Sequence, residues 1–356
     1  MATCSEPAFL DVIAPGAHTT IQDLGRVGYL AVGVPPSGAL DPFALRLANK
    51  LVGNPENAAC LECVHTGAEL KVNADGVRVA LVGEGCTLEI LDSGAGDIAN
   101  GRSVLLKRDT KFRLSPLRGS ACAYLAVHGG FAVEPCLGSL STYTRGGFGG
   151  LAGRTLRTGD KIPLLKTEPS AGDDQQVVKT DFFDIGKEII IRVVLGPQDD
   201  HFTKAGIETF LSKPFKISST SDRMGARLDG DGIELTNFEN FVSDGISTGA
   251  IQVPGSGQPI ILLKDHQTSG GYPKIATVIS ADLPLLGRAR IGTTLNFKAV
   301  DVTSAEAARR EQEETFLLLL KKLRAFKDEA PINVEALYEE NLIDGIVDAL
   351  ERGIPA

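Results

Sequence analysis

The stretch from Gly249 to Leu286 reads GAIQVPGSGQPIILLKDHQTSGGYPKIATVISADLPLL, and its pattern of apolar runs and turns indicates the fold class. Short apolar runs rich in Val and Ile alternate with turns that contain Gly, Pro and Ser, which is typical of antiparallel strands. The apolar run GAIQVPGSGQPIILL ends in a polar cluster from Lys264 to Lys274. The sequence therefore predicts that a buried strand delivers polar side chains to the rim of a sheet or barrel.

The same alternation of strands and turns extends over most of the chain, which favours a mainly β fold with a few helices. A polar, acidic stretch interrupts it after residue 166. We therefore predict a β-rich domain with short helices over 1–166, a linker over 167–188, a β-barrel domain over 189–302 and a helical tail over 303–356.

One helix is clearly marked in the first half, within DPFALRLANKLVGNPENAACLE. Asp41 is a good N-cap, and Pro42 fits the first helical position because its missing N–H is not needed there. Gly53 suits the left-handed exit of the helix. Asn54 and Pro55 repeat the cap-and-proline signal and predict a second short helix. The apolar stripe of the first helix consists of Phe43, Ala44, Leu47, Ala48 and Leu51.

The tail begins with a second helix signal. Thr303 and Glu306 match a capping box, so we expect the helix to start there. Its later part is apolar at helical spacing, and NVEALYEENLIDGIVDALERG predicts one or two further helices. The apolar positions are Phe316, Leu319, Leu320, Leu323 and Phe326.

Composition and absent motifs exclude several classes of function. The net charge of −9 argues against a nucleic-acid partner, and no apolar run is long enough to span a bilayer. We see no signal peptide, so we predict a cytoplasmic protein whose six cysteines are reduced thiols. The chain has no P-loop and no G-x-S-x-G, and CLECVH has no fourth ligand at a suitable spacing, so no metal site is predicted.

The polar cluster after the apolar run is the strongest candidate site. Alternating side chains of a strand point to opposite faces, so Asp265 and Gln267 are expected to share one face, with His266 on the other. The strand then turns at Gly270 and Gly271, whose flexible backbone allows a ligand to approach closely. The competing interpretation is a polar barrel rim without a ligand.

The residue types in this cluster suit an amide-like or urea-like ligand. A carboxylate accepts N–H groups, and an amide both donates and accepts, so Asp265 is a catalytic candidate and Gln267 a binding candidate. Tyr272 is a further binding candidate. Lys274 is a catalytic candidate, because a cation stabilises a developing oxyanion.

Two arginines are further binding candidates. Arg145 lies in the glycine-rich STYTRGGFGG, where it is suited to a bidentate contact with a carboxylate or phosphate; a mobile hairpin loop is the alternative. Arg223 follows Asp222 in SDRMGARL, which also predicts an internal ion pair. His201 is a weaker candidate, since an isolated histidine is more often structural.

Several long motifs together resemble one family. TIQDLGRVGYLAVGVPPSGALDPFALRLANKLVGN, SDRMGARL, GAIQVPGSGQPIILL and GGYPKIATVISADLP are similar to the family of the C-type 5-oxoprolinase subunit, also called allophanate hydrolase subunit 2. The same domain occurs in the carboxyltransferase region of urea carboxylase. The resemblance extends from about residue 8 to residue 302. It implies cyclophilin-like β-barrel domains and a B-type partner that completes the active site.

The resemblance leaves three functions open. The leading one is a component of an enzyme that opens a cyclic amide at the expense of ATP, together with B-type and A-type subunits. The alternative is a carboxyltransferase component that uses carboxybiotin, supplied on a biotin carrier, to carboxylate a urea-type or guanidine-type substrate. The third is a non-enzymatic protein that binds a B-type inhibitor of a sensor kinase.

Overall fold

The computed structural model describes residues 8–91, 97–166, 174–177, 182–236 and 242–326. The first part of the chain contains β1 (Phe9–Ala14), β2 (His18–Gln22), a 3-10 turn (Leu30–Val32), α1 (Pro42–Leu51), β3 (Cys60–Val64), β4 (Glu69–Asn73), β5 (Gly76–Val82), β6 (Leu88–Ile90), β7 (Arg102–Lys107), β8 (Lys111–Leu114), β9 (Cys122–Val127), β10 (Lys161–Pro163) and β11 (Gln175–Gln176).

The second part begins with a long strand and ends with the longest helix. It contains β12 (Glu188–Leu195), a 3-10 turn (Asp199–His201), α2 (Lys204–Ser212), β13 (Phe215–Ile217), β14 (Gly225–Asp229), β15 (Asp244–Gly245), β16 (Ala250–Gln252), β17 (Ile260–Leu262), β18 (Ser269–Gly270), β19 (Lys274–Val278), α3 (Leu283–Arg288), β20 (Thr294–Ala299), α4 (Val302–Leu320) and β21 (Arg324–Ala325). The predicted mainly β fold with helices is confirmed.

The first domain is built from two antiparallel sheets. One has the order β10-β1-β4-β8-β6, and the other has the order β2-β3-β9-β5-β7-β11-β21. Their facing side chains, among them Leu10, Leu70, Leu61 and Leu125, form one apolar core. Strands β5 and β9 are buried on both faces, because α1 packs on the other side of the larger sheet.

The second domain is a closed barrel, in the order β12-β19-β16-β17-β14-β13-β20. Its strands pair antiparallel except for β12 and β20, which run parallel. Alternate residues such as Ile191, Val193, Ile251 and Ile261 fill the interior. A closed barrel has no open sheet edge, which explains how such short strands form a stable unit.

The first helix confirms its prediction, whereas the second predicted helix is wrong. Asp41 caps α1 by accepting from the backbone N–H of Phe43 at 3.0 Å and of Ala44 at 3.2 Å. Residues 56–58 form a turn and not a helix. The Asn54 amide instead donates to the Val127 carbonyl at 2.8 Å and accepts from the Gly129 N–H at 2.8 Å. The Asn54 side chain, which was expected to cap a second helix, therefore makes a long-range contact at the end of β9.

The tail helix starts earlier than its predicted capping box. Asp301 is the N-cap of α4 and accepts from the Ser304 N–H, while Glu306 pairs with Arg310 at 2.9 Å. Phe316 and Leu319 of the predicted stripe are buried. The helices expected after residue 326 lie outside the described residues. Strand β11 lies in the stretch predicted as a linker, and the domain boundaries stay predictions.

Candidate functional site

A cavity of about 510 Å³ lies against the outer face of β14, β17 and β16 of the barrel. Ile261 and Ala226 of these strands point into the barrel core, so their neighbours Ile260 and Arg227 point to the cavity. The side chains of its wall that can bind a ligand by hydrogen bonds or charge include Arg145, Asp222, Arg227, Gln252, Gln267 and Tyr272. The cavity therefore combines a loop of the first domain with strands of the second.

Three of the residues predicted from sequence meet in this cavity. Gln267 and Tyr272 come from the barrel, and Arg145 comes from the glycine-rich loop of the first domain. The Arg145 side chain is 61% exposed, and its Nη2 lies 3.7 Å from Oδ2 of Asp222. A pair this long and this exposed contributes little to stability, so the guanidinium is accessible to an anionic ligand.

Two glutamines form the most distinctive feature of the wall. Gln267 Nε2 donates to Gln252 Oε1 at 3.1 Å. Gln252 is only 1% exposed, yet its own Nε2 has no hydrogen-bond partner among the described residues. A buried donor without an acceptor is unfavourable by about 1–3 kcal/mol, so a carbonyl placed here gains more than it would in water. Gln252 was missed from sequence, although a glutamine between Ile251 and Val253 in an apolar run is a usable signal.

Gly270 has a steric reason to be glycine. It lies in β18, and a Cβ there would come within 2.6 Å of Gln252 Nε2 and 2.7 Å of the Ile246 side chain. A side chain at this position would push the unpaired amide aside. The neighbouring Gly271 completes the turn that leads to Tyr272.

Asp265 is not where the sequence predicted it. It lies in a turn after β17 rather than in a strand, so the expectation that it shares a face with Gln267 is wrong. Its carboxylate is 3% exposed and accepts from Arg223 twice, from Nε at 2.9 Å and from Nη2 at 3.3 Å. Asp265 does not line the cavity.

Arg223 likewise lies in a buried network and not in the cavity. Besides Asp265 it donates to Glu62, a carboxylate of the first domain with 0% exposure, and to the Gly38 carbonyl at 2.7 Å. Burial alone lowers the pKa of Arg223, but the two carboxylates outweigh this and hold it above its usual value. The predicted pair with Asp222 is wrong, because the Asp222 carboxylate closes a turn instead.

Glu62 is a second residue that sequence reasoning missed. It accepts from the Tyr124 hydroxyl at 2.6 Å and from the Leu40 N–H at 2.9 Å, so every partner in this network is hydrogen-bonded. A charged residue inside the buried strand CLECV is the signal that identifies it. The network joins the two domains directly behind the turns that carry Met224 and Gln267 to the cavity wall.

Lys274 and His266 lie behind the cavity wall and support it through hydrogen bonds and an ion pair. Lys274 is 3% exposed, and its Nζ lies 3.2 Å from Oδ2 of Asp244. Burial lowers the pKa of His266 below its usual value, which favours the neutral ring. The His266 ring bonds to the Thr248 hydroxyl at 3.1 Å and to the Gln267 carbonyl at 2.6 Å, which fixes the backbone next to the glutamine pair. His201 lies in the second 3-10 turn and does not line the cavity.

The cysteines and the possible metal ligands within the described ranges form neither a disulfide nor a metal site. The five cysteines located there are free, and Cys4 lies outside those ranges. No group of three His, Cys, Asp or Glu side chains in that part of the chain is arranged to hold a metal ion. In the same residues no helix has the length and apolar character needed to cross a bilayer.

The comparisons with known proteins agree with the resemblance read from the motifs. Residues 32–299 match the family model described as "Carboxyltransferase domain, subdomain A and B". The chain belongs to this carboxyltransferase-domain family. It is 36% identical over 318 residues to the C-type 5-oxoprolinase subunit of Escherichia coli (strain K12), covering 88% of this chain and 98% of that protein. That relative is part of an enzyme, and the family assignment makes this chain an enzyme component.

Two solved structures of family members superpose on most of the chain. The urea amidolyase of K. lactis matches with a TM-score of 0.80 and 29% identity, over 89% of this chain but only 20% of that one. The protein TTHA0988 matches with a TM-score of 0.72 and 33% identity, over 83% of this chain and 57% of that one. In both relatives the matched region is therefore one part of a longer polypeptide.

Proposed function

We propose that the chain is a subunit of an ATP-dependent, 5-oxoprolinase-type enzyme that opens a cyclic amide. The observation that carries the proposal is the glutamine pair, in which the buried Gln252 amide has a donor without an acceptor among the residues that the structure describes. An amide carbonyl is the group that such a donor binds best. The near-complete coverage of the 5-oxoprolinase relative from E. coli supports the same reaction class.

The cavity supplies a contact for each polar group of such a substrate. Gln252 is only 1% exposed, so its amide must turn towards the cavity for Nε2 to donate to the substrate carbonyl. The ring N–H donates to Gln267 Oε1. Arg145 pairs with a carboxylate on the substrate, and Tyr272 borders the ring. ATP, bound in the assembled complex, supplies the activation that an amide needs before water attacks it. Asp265 and Lys274 are both buried and ion-paired, and in this proposal they fix the cavity wall and do not touch the substrate.

We further propose a B-type subunit as the partner, with an A-type subunit in the full assembly, in the cytoplasm. The cavity is open to solvent on the side of Arg145. A partner that covers this side excludes bulk water from the cavity and leaves the one water that hydrolysis consumes, which strengthens every electrostatic contact inside. The active site is then shared between two polypeptides.

A second candidate function is a carboxyltransferase component of a biotin-dependent urea or guanidine carboxylase. The observation that favours it is the superposition on the urea amidolyase of K. lactis, together with the family description. A urea carbonyl and its N–H groups suit the same glutamine pair. In that case carboxybiotin on a carrier protein is the carboxyl donor at this site.

Reconstitution with the co-expressed partner subunits separates these functions. We expect ATP hydrolysis that depends on 5-oxoproline and yields glutamate, with no requirement for bicarbonate or biotin. Carboxylation of urea by a biotinylated carrier, without lactam opening, would establish the second function instead. A tight complex that turns over neither substrate would indicate a non-enzymatic protein that binds a kinase inhibitor.

A further inference from the structure

A ridge of apolar side chains projects from the first domain next to the glycine-rich loop. The apolar ridge consists of residues 24–33, which follow β2 and include the first 3-10 turn. Four of its large apolar side chains face solvent: Leu24 at 41% exposure, Val27 at 90%, Leu30 at 41% and Val32 at 73%. Monomeric proteins seldom expose so many large apolar groups together.

The ridge also exposes no charge. Its one charged side chain is Arg26, which is 3% exposed and points inwards. Charged residues make up 23% of the whole chain, so ten consecutive residues without an exposed charge are a clear departure from the rest of the surface. Depletion of charge with enrichment of apolar groups is the composition of an interface core.

The ridge is held in shape although it is exposed. The Arg26 N–H donates to the Pro36 carbonyl at 2.8 Å, and its guanidinium donates to the Ser141 carbonyl and lies 5.1 Å from the centre of the Phe148 ring. The 3-10 turn ends in a left-handed residue, Gly33, with φ of 82°. A preformed surface loses little conformational entropy on binding.

The same contacts connect the ridge to the cavity. Phe148, which covers Arg26, belongs to the loop that carries Arg145, and Tyr143 and Phe148 close that loop by an edge-on ring contact at 5.5 Å. Arg145 in turn lines the cavity. A protein seated on the ridge therefore extends to the open side of the cavity.

We propose that the apolar ridge is the docking surface for the partner subunit, which presents an uncharged apolar groove to it. This inference rests on the proposed function. The E. coli relative is named a subunit, and the matched region covers only 57% of the TTHA0988 chain, so relatives combine this domain with further polypeptide. In this proposal the partner subunit corresponds to the unmatched part of the TTHA0988 chain.

The test is the affinity of the partner for ridge variants. Val27→Asp and Val32→Asp add a charge at positions that are 90% and 73% exposed, so the free chain keeps its fold and its melting temperature. Ile190→Asp is the matched control, because Ile190 is 62% exposed on β12, away from the ridge. We expect each ridge variant to weaken the complex with the co-expressed partner by about tenfold or more, and the control to leave the Kd unchanged.

Three outcomes would overturn the proposal. One is an unchanged Kd for both ridge variants. The others are a homodimer of the chain alone, or binding of the chain to phosphatidylcholine vesicles, that the ridge substitutions abolish. Turnover of the wild-type complex is measured in parallel. A complex that dissociates in the ridge variants but never opens a lactam refutes the proposed function and leaves the ridge as the docking surface.

Discussion

Two polar clusters are neighbours: the cluster around Arg223 lies behind the cavity wall, and the cluster around Gln252 lies within it. They differ in whether every hydrogen-bonding group has a partner. Around Arg223, every charge is paired: Asp265 and Glu62 hold the guanidinium, and Tyr124 holds Glu62. Around Gln252, which accepts from Gln267, one buried donor has no acceptor within the described part of the chain. The saturated cluster maintains the arrangement of the two domains, and the unsaturated one is the place where a ligand gains free energy.

The largest expected effect is on stability, from breaking the saturated cluster. Glu62→Ala leaves Arg223 with one carboxylate instead of two and leaves the Tyr124 hydroxyl without its acceptor. Removing one partner of a buried ion pair destabilises a protein by about 3–5 kcal/mol. We expect a loss of that size in urea unfolding followed by circular dichroism. A loss below about 1 kcal/mol would mean that the network does not hold the domains together.

Arg288 and Asp41 offer a control of equal burial. Their side chains pair at 2.6 Å with exposures of 4% and 1%, and neither side chain bonds to the turns that carry Met224 and Gln267 to the cavity wall. Asp41→Asn destabilises the chain as well, yet we expect it to leave the KM for the substrate within about twofold, whereas Glu62→Gln raises the KM because the turn to Gln267 shifts. Equal effects of the two variants on KM would show that the network acts only through general stability.

A smaller effect is expected from Gly270→Ala, which acts on the unsaturated cluster. The added Cβ would come within 2.6 Å of Gln252 Nε2, so the amide must move. Overpacking of this kind destabilises by about 1–3 kcal/mol. We expect a fall in melting temperature of a few degrees and a more than tenfold loss in kcat/KM. Gly232→Ala is the control, because a Cβ there meets nothing within 4 Å.

The smallest expected effect concerns an ion pair that is less buried than the pair of Glu62 and Arg223. Arg46 binds Glu313 of α4 at 2.6 Å, with exposures of 14% and 32%, and it holds the pKa of Glu313 below its usual 4.5. A lowered folded pKa adds stability that is complete above pH 4.5 and is lost as the pH falls through the lowered value.

The measurement for this pair is hydrogen exchange of the α4 amides. We expect faster exchange at pH 3 than at pH 7 after correction for the intrinsic rate, and no such difference in Glu313→Gln. The same pH dependence in that variant would assign it to other carboxylates. The effect should be about 1 kcal/mol or less, since exposure screens the pair.

The sequence predicted the secondary-structure elements that are determined by residues close together in the chain. Asp41 and Pro42 mark the start of α1 because cap and helix lie within three residues, and the turn residues divide the barrel strands. The surroundings of Asp265 and Arg223 were not predicted, because Arg223 lies 42 residues from Asp265 and 161 residues from Glu62, and no local pattern identifies these pairs. The structure corrects the surroundings of Asp265 and Arg223. The roles predicted for them in chemistry are untested, and the proposed function does not use them.

Part of what was missed was nevertheless detectable. Gln252 and Glu62 are polar residues inside apolar strands, and each is buried. Such positions require a hydrogen-bond partner, so they point either to a network or to a ligand. Only the three-dimensional arrangement shows that Glu62 has its partners and that, among the described residues, the Gln252 amide nitrogen does not.

The measurement that tests the central claim most directly is the substrate KM of Gln252→Met beside that of Gln258→Met in the reconstituted complex. Both glutamines line the cavity, but the Gln258 amide is saturated by Gly230, at 3.0 and 3.2 Å. We predict that Gln252→Met raises the KM by about tenfold or more without lowering the melting temperature, and that Gln258→Met leaves the KM unchanged. An unchanged KM in Gln252→Met would contradict the account, because the unpaired donor would then have no part in binding.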